Sequence, residues 1–240
     1  MTAFWLLLAG HSLGDYAFQT AASIAEKRAK GVRSKRFWQH TLGHGMLTAV
    51  ALLWAGSDGV GALLGAAWVF ATHTAVDWAK VAWEARLGPG LKFKAYLVDQ
   101  ALHVSALLAL SAAFEGGKWP HGWEHTAAAW GALVALSTVG IGHAVDAYLA
   151  RFKAPDMEEG LHGAGFQIGM LERLLVVAFV VLDVWAGVGF LLAAKSVFRF
   201  GDLQRAASRE LTEYVLIGTL LSIGGAVLLG VAFRAFAPLF

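Results

Sequence analysis

The chain contains no cysteine in its 240 residues, which excludes disulfides, thiolate metal ligands, cysteine-held iron–sulfur clusters and cysteine nucleophiles. Charge is scarce as well: Asp, Glu, Lys and Arg supply 15% of the residues against 58% hydrophobic, too little for a domain surrounded by water. The 28 glycines are dispersed as helix-packing residues, and no cluster of them resembles a phosphate loop. The net charge of +2 arises from basic residues between the apolar runs. Membrane orientation explains those residues, and nucleic acid is not an expected partner.

What the chain has is long apolar runs, at roughly 2–19, 41–57, 60–83, 95–114, 127–149, 168–194 and 213–236, each near the length of about 20 residues that a bilayer crossing needs. They predict an all-α, polytopic transmembrane helical bundle of about six or seven helices, with the lipid bilayer as its first partner. The expected organisation is a single transmembrane domain, 1–240. Within it 1–57 and 60–114 are candidate hairpin repeats, and 127–240 holds the remaining helices.

The first run has no basic flank and no small-residue cleavage site, and it carries His11 and Asp15, so a retained helix is expected. Between 21 and 37 lie Lys27, Arg28, Lys30, Arg33, Lys35 and Arg36 against one acid, Glu26. The excess of Lys and Arg predicts that this connection is cytoplasmic and the N-terminus outside. The second half fits strict alternation less well. Alternation would make 151–165 cytoplasmic despite Asp156, Glu158 and Glu159, and would export Lys195, Arg199, Arg205 and Arg209. One of the last three segments is therefore expected to be interfacial or re-entrant, with a break or strong tilt within 160–210.

Four pairs recur in the apolar runs: His11 and Asp15, His40 and His44, His73 and Asp77, Asp99 and His103. A spacing of i, i+4 puts both members on one helix face. Under the expected topology all four pairs reach the same depth, near the cytoplasmic side. Ionisable groups at membrane depth are costly and turn toward a protein interior, so this agreement marks a site. The order of the pairs, His-x-x-x-Asp then His-x-x-x-His in the first hairpin, His-x-x-x-Asp then Asp-x-x-x-His in the second, reads as a duplicated hairpin.

Five imidazoles and three carboxylates suit a divalent ion, Zn above all, with Fe or Mn as alternatives. Eight such groups exceed one coordination sphere, so either two ions or one ion with a polar surround is expected. All eight are candidate ligands, and Asp15, Asp77 and Asp99 are candidate general bases. Gln19, Gln100, His143, Asp146, Glu172 and Arg173 are expected behind the ligands. His40 adjoins the basic connection, where it is either a ligand or simply solvated, and Lys80, one turn from Asp77, reads as an ion-pair partner or, more simply, as a snorkelling lysine. Adjacent Glu172 and Arg173 read as neutralising a partner helix, as anchoring an anionic head group or, most simply, as marking the membrane interface. His121 and His125, beside Trp119 and Trp123, read as solvated histidines within an aromatic belt. Ser12 adjoins His11 but points elsewhere on the helix, which argues against a Ser–His nucleophile there.

Zinc would lower the pKa of a bound water to about 7 and polarise an ester, amide or phosphoryl group. The expected function is a membrane metalloprotein, a metal-dependent hydrolase acting on a lipid-like substrate near the cytoplasmic leaflet. Two alternatives use the same residues: a di-iron oxidase or hydroxylase acting on lipid, and a metal-ion or proton-coupled transporter.

Gly10-His11-Ser12-Leu13-Gly14-Asp15-Tyr16 with Gln19-Thr20, His40 to His44, His73 to Asp77 with Lys80, Asp99-Gln100 to His103, Leu171-Glu172-Arg173-Leu174, and Gly189 to Lys195 ahead of Phe200-Gly201-Asp202 together resemble the bacterial membrane family catalogued as domain of unknown function 3307. The resemblance implies a multi-pass protein of the inner (cytoplasmic) membrane and no particular activity. A looser similarity, in His and Asp on apolar helices, is to membrane-bound metal-dependent hydrolases.

Overall fold

The structure is a computed structural model that describes residues 2–84, 86–114, 123–153, 161, 163–206 and 209–236. The described residues form helices and turns without a strand, the all-α fold expected from the apolar runs. The chain divides into two compact units, Met1–Ala135 and Leu136–Phe240.

In the first unit α1 (Thr2–Ser12) runs into a π-helical turn, Leu13–Ala17. The amphipathic α2 (Ala21–Lys30) starts where the Thr20 hydroxyl accepts from Ser23 N at 3.2 Å, an N-cap that satisfies one of the helix's orphan donors. It stops at Gly31, whose φ of +54° continues no helix. Ser34 is buried between two elements. Its hydroxyl caps α3 (Lys35–Trp54) through Arg36 N and Phe37 N at 3.0 and 3.3 Å, and donates to Glu26 of α2 at 3.0 Å.

A turn at Gly56, with φ +85°, leads to α4 (Gly59–Glu84). Asp58 opens that helix by accepting from Gly61 N at 2.7 Å. Small residues let α3 and α4 approach: a Cβ on Gly45 would lie 3.2 Å from the Ala66 carbonyl oxygen, and one on Gly65 would strike Leu52. α5 (Lys92–Ala113) returns along α4, and α6 (Trp123–Ala135) packs on α1.

The second unit begins with a π-helical turn, Leu136–Gly140, followed by α7 (Ile141–Leu149), α8 (Ala164–Val181), α9 (Trp185–Ala206) and α10 (Arg209–Phe236). Arg173, buried on α8, donates from Nε to the Ser137 carbonyl at 2.6 Å, from Nη2 to the Thr138 carbonyl at 2.5 Å and from Nη1 to the Ser222 hydroxyl at 3.1 Å. A π turn frees carbonyls from the regular ladder, and one guanidinium satisfies two of them while tying α10 to the turn.

Among the described residues, five helices are long and apolar enough to cross a membrane: Gly59–Glu84, Lys92–Ala113, Thr126–Leu149, Ala164–Val181 and Arg209–Phe236. Large apolar side chains such as Leu63, Leu64 and Leu228 stand exposed on them, as a lipid-facing surface requires. The runs 2–19 and 41–57 are helical without meeting that standard. The π turn and the polar Gln19-Thr20 cut the first short, and Lys35, Arg36, Gln39, His40 and His44 lower the hydropathy of the second. The run 168–194 is not one helix. It breaks between Val181 and Trp185, where Asp183 takes φ +63° and the Arg234 guanidinium, 2.5 Å away, holds its carboxyl below the usual range. The expected break within 160–210 falls there.

Asp156, Glu158, Glu159, Trp119 and His121 lie outside the described residues, as do the side chains of Trp123, His125, Arg199, Phe200, Asp202 and Arg205.

Candidate metal centre

All four spaced pairs of the first unit meet in one buried cluster. Asp15 Oδ1 lies 3.3 Å from His40 Nε2, 3.2 Å from His44 Nε2 and 4.0 Å from His73 Nε2, while its Oδ2 lies 3.3 Å from His11 Nε2. Asp77 Oδ1 faces His73 and His103 at 3.8 and 3.6 Å, and its Oδ2 faces His40 at 3.5 Å. Asp99 Oδ1 closes the far side, 3.6 Å from His103. The rings of His44, His73 and His103 stack with centroids 3.8 and 4.2 Å apart. These contacts follow from the i, i+4 pattern, which turns each pair inward from its own helix.

The π turn after α1 shapes the cluster at closest range. It carries Asp15 beside His11, and Gly14 leaves the space that His44 fills: a Cβ there would lie 2.4 Å from His44 Cε1 and 2.5 Å from Nε2. Such π-helical insertions are frequent at functional sites.

Two sets of ligand atoms lie within 4.8 Å of one another, one from Asp15, His40, His44 and His73, the other from His73, Asp77 and His103. Ligands on a tetrahedral ion with bonds of about 2.0–2.1 Å stand about 3.3–3.4 Å apart. The spacings in the first set bracket that value, and His40 Nε2 and His73 Nε2 are 3.0 Å apart. Nε2 of His11 and of His44 make no hydrogen bond although Asp15 oxygens are 3.3 and 3.2 Å away. His73 Nδ1 and Asp99 Oδ1 are likewise buried without a hydrogen-bond partner. Buried polar atoms are normally paired; close donor atoms that do not point at one another are what a shared cation would satisfy. The groups could hold a metal ion.

Two lysines complete the electrostatics. Lys27 of α2 is buried with its Nζ 3.2 Å from Asp77 Oδ2, and Lys80 Nζ lies 2.7 Å from Asp99 Oδ2. Of the two readings of Lys80, the ion-pair partner is the one the structure has and the snorkelling lysine is not; its acid is Asp99, which α5 brings to it. Lys27 carried no signal as one of six basic residues in its connection. A helical reading of 21–30 would have found it, since it stands one turn after Ile24, the large apolar residue of α2. His40 is mostly enclosed within the cluster and not solvated. Gln19 Nε2 bonds its ring at 3.2 Å; Gln100 donates to Asp99 at 3.1 Å and accepts from the Tyr16 hydroxyl at 3.1 Å. Tyr16, which the sequence marks only as the end of the Gly10–Tyr16 motif and with no role, thus braces α5 from the π turn.

The remaining predicted residues belong to the second unit. His143 and Asp146 are on α7, and Glu172 of α8 pairs with Lys195 of α9. The buried position of Arg173 replaces the expected interface-marking role with a structural one.

The membrane-length helices among the described residues define the class, a multi-pass membrane protein, here with a buried His/Asp cluster. Residues 3–120 match the family described as Protein of unknown function (DUF3307). The matched region contains every residue of the cluster and none of the second unit. No curated protein and no solved structure matches the chain.

Proposed function

We propose that this protein is a membrane-embedded metal-dependent hydrolase with its centre near the cytoplasmic leaflet of the inner membrane and its N-terminus outside. The observation that carries the reading is the crowding of imidazole nitrogens and carboxylate oxygens from separate helices around a common space, several without hydrogen bonds. Asp15, His40, His44 and His73 would hold the ion. Zinc bound there supplies Lewis acidity and a water with a pKa of about 7.

Charge favours one ion over two. Three aspartates against Lys27 and Lys80 leave one negative charge when the imidazoles are neutral. A divalent ion carrying a hydroxide cancels it, whereas two ions leave excess positive charge where charge is expensive. The sharing of His73 between the two ligand sets also favours one ion. Asp15 is committed to the ion, and Asp99 gives Oδ2 to both Lys80 and Gln100; Asp77 gives Oδ2 to Lys27, and its other oxygen, Oδ1, between His73 and His103, is placed to take a proton from the water.

The test is hydrolysis of lipid extract in ¹⁸O-labelled water by the zinc-loaded protein, read by mass spectrometry. Label in a released carboxylate or phosphate, lost in His44→Ala and on chelation, supports the reading. Absence of label, or label that survives both, overturns it. Iron with oxygen consumption, or metal flux into proteoliposomes without turnover, would establish the oxidase or the transporter instead.

A further inference from the structure

Beside the cluster, on the outer face of α4 and α5, lies a slot of about 220 Å³ whose walls include Val76, Ala79, Trp83, Leu91, Val98 and Leu102. Lys94 lines one end and Lys80 and Asp99 line its flank. From Lys94 to Leu102 is eight helical residues, about 12 Å along α5, so the slot runs from the end of the helix toward membrane depth. Its charged neighbours are unbalanced. Glu84 is engaged by Arg28 at 3.5 Å and Asp99 by Lys80 at 2.7 Å, while Arg86, Lys92 and Lys94 stand exposed at the same end.

An apolar trough with a cationic rim fits a chain with an anionic head. The geometry points to a binding site for one acyl chain of an anionic glycerophospholipid, its phosphate at Lys94 and its chain along Val98 toward Leu102. This inference rests on the hydrolase reading only for the lipid's role as substrate. Asp99 lies five residues below Lys94, about 7.5 Å deeper, which sets the ester carbonyls of such a lipid level with the Lys80–Asp99 pair. That pair is the wall between slot and cluster, since Asp99 offers Oδ2 to Lys80 and Oδ1 to His103. A substrate in the slot would need to cross only this wall to reach the ion.

The test uses the full chain in detergent, incubated with phosphatidylglycerol or phosphatidylcholine and examined by native mass spectrometry, with zinc measured on the same samples. Ala79 and Val98 are exposed, so Ala79→Trp and Val98→Trp fill the slot without entering the core. The parent is expected to retain one phosphatidylglycerol in at least fivefold preference to phosphatidylcholine. Either tryptophan should cut retention at least fivefold with zinc unchanged, and Lys94→Glu should abolish the preference for the anionic lipid. Equal retention of both lipids by the parent, or undiminished retention in both tryptophan variants, overturns the slot whatever the zinc content. Lipid retained by a parent that binds no zinc supports the slot and removes the metalloenzyme.

Discussion

Replacing Gly14 with alanine adds one methyl group where the π turn meets His44. The new Cβ would lie 2.4 Å from His44 Cε1 and 2.5 Å from Nε2, against an ordinary carbon–carbon contact of about 3.5–4.0 Å. The ring has to retreat by about 1 Å, half the length of a zinc–nitrogen bond. A ligand so displaced is expected to weaken zinc at least tenfold, or by about 1.4 kcal/mol or more. Helix propensity acts the other way, since alanine is better than glycine by up to about 1 kcal/mol, which offsets part of the overpacking strain; the thermal transition, measured alongside, separates a displaced ring from an unfolded turn. Gly43→Ala is the control, because a Cβ there meets nothing within 4 Å. Competition with a chromophoric zinc chelator measures the affinity. Equal zinc affinity in Gly14→Ala and parent would refute the placement of His44 as a ligand beside this turn.

Further outcomes can be measured in the same preparations. Lys80→Met should lower stability by about 3 kcal/mol, because it leaves the buried Asp99 carboxylate without its cation; an unchanged thermal transition would contradict the ion pair. Arg173→Met should cost about 3 kcal/mol by stripping Ser137 and Thr138 carbonyls of their donors, with zinc content untouched; a fall in zinc would show that the second unit supports the centre. Acidification below the usual imidazole pKa of about 6.5 should release the metal, since ligating imidazoles must be neutral, and retention at that acidity would count against histidine ligation.

The cluster was legible because its chemistry is periodic. His11/Asp15, His73/Asp77 and Asp99/His103 each repeat at four residues inside an apolar run, and inward-facing polar groups in such runs have few other places to go. Lys27 escaped notice because a basic connection reads as orientation until its helical face is considered. Lys80 was visible, but its partner depended on the register of α5 against α4, which no local pattern encodes. The π turn at Leu13–Ala17 left no periodic mark either, although Gly14 and Asp15 lie in it. The break at Asp183 was foreshadowed by charge alternation, yet its position rests on a positive φ and on Arg234, 51 residues away.

Elemental analysis of protein purified without an immobilised-metal column tests the central claim most directly. One divalent ion per chain is expected in the parent, falling well below that in His44→Ala and in His73→Ala while the folded fraction stays largely intact. A parent without metal, or the same metal content in both folded variants, would contradict a centre built by these histidines and aspartates.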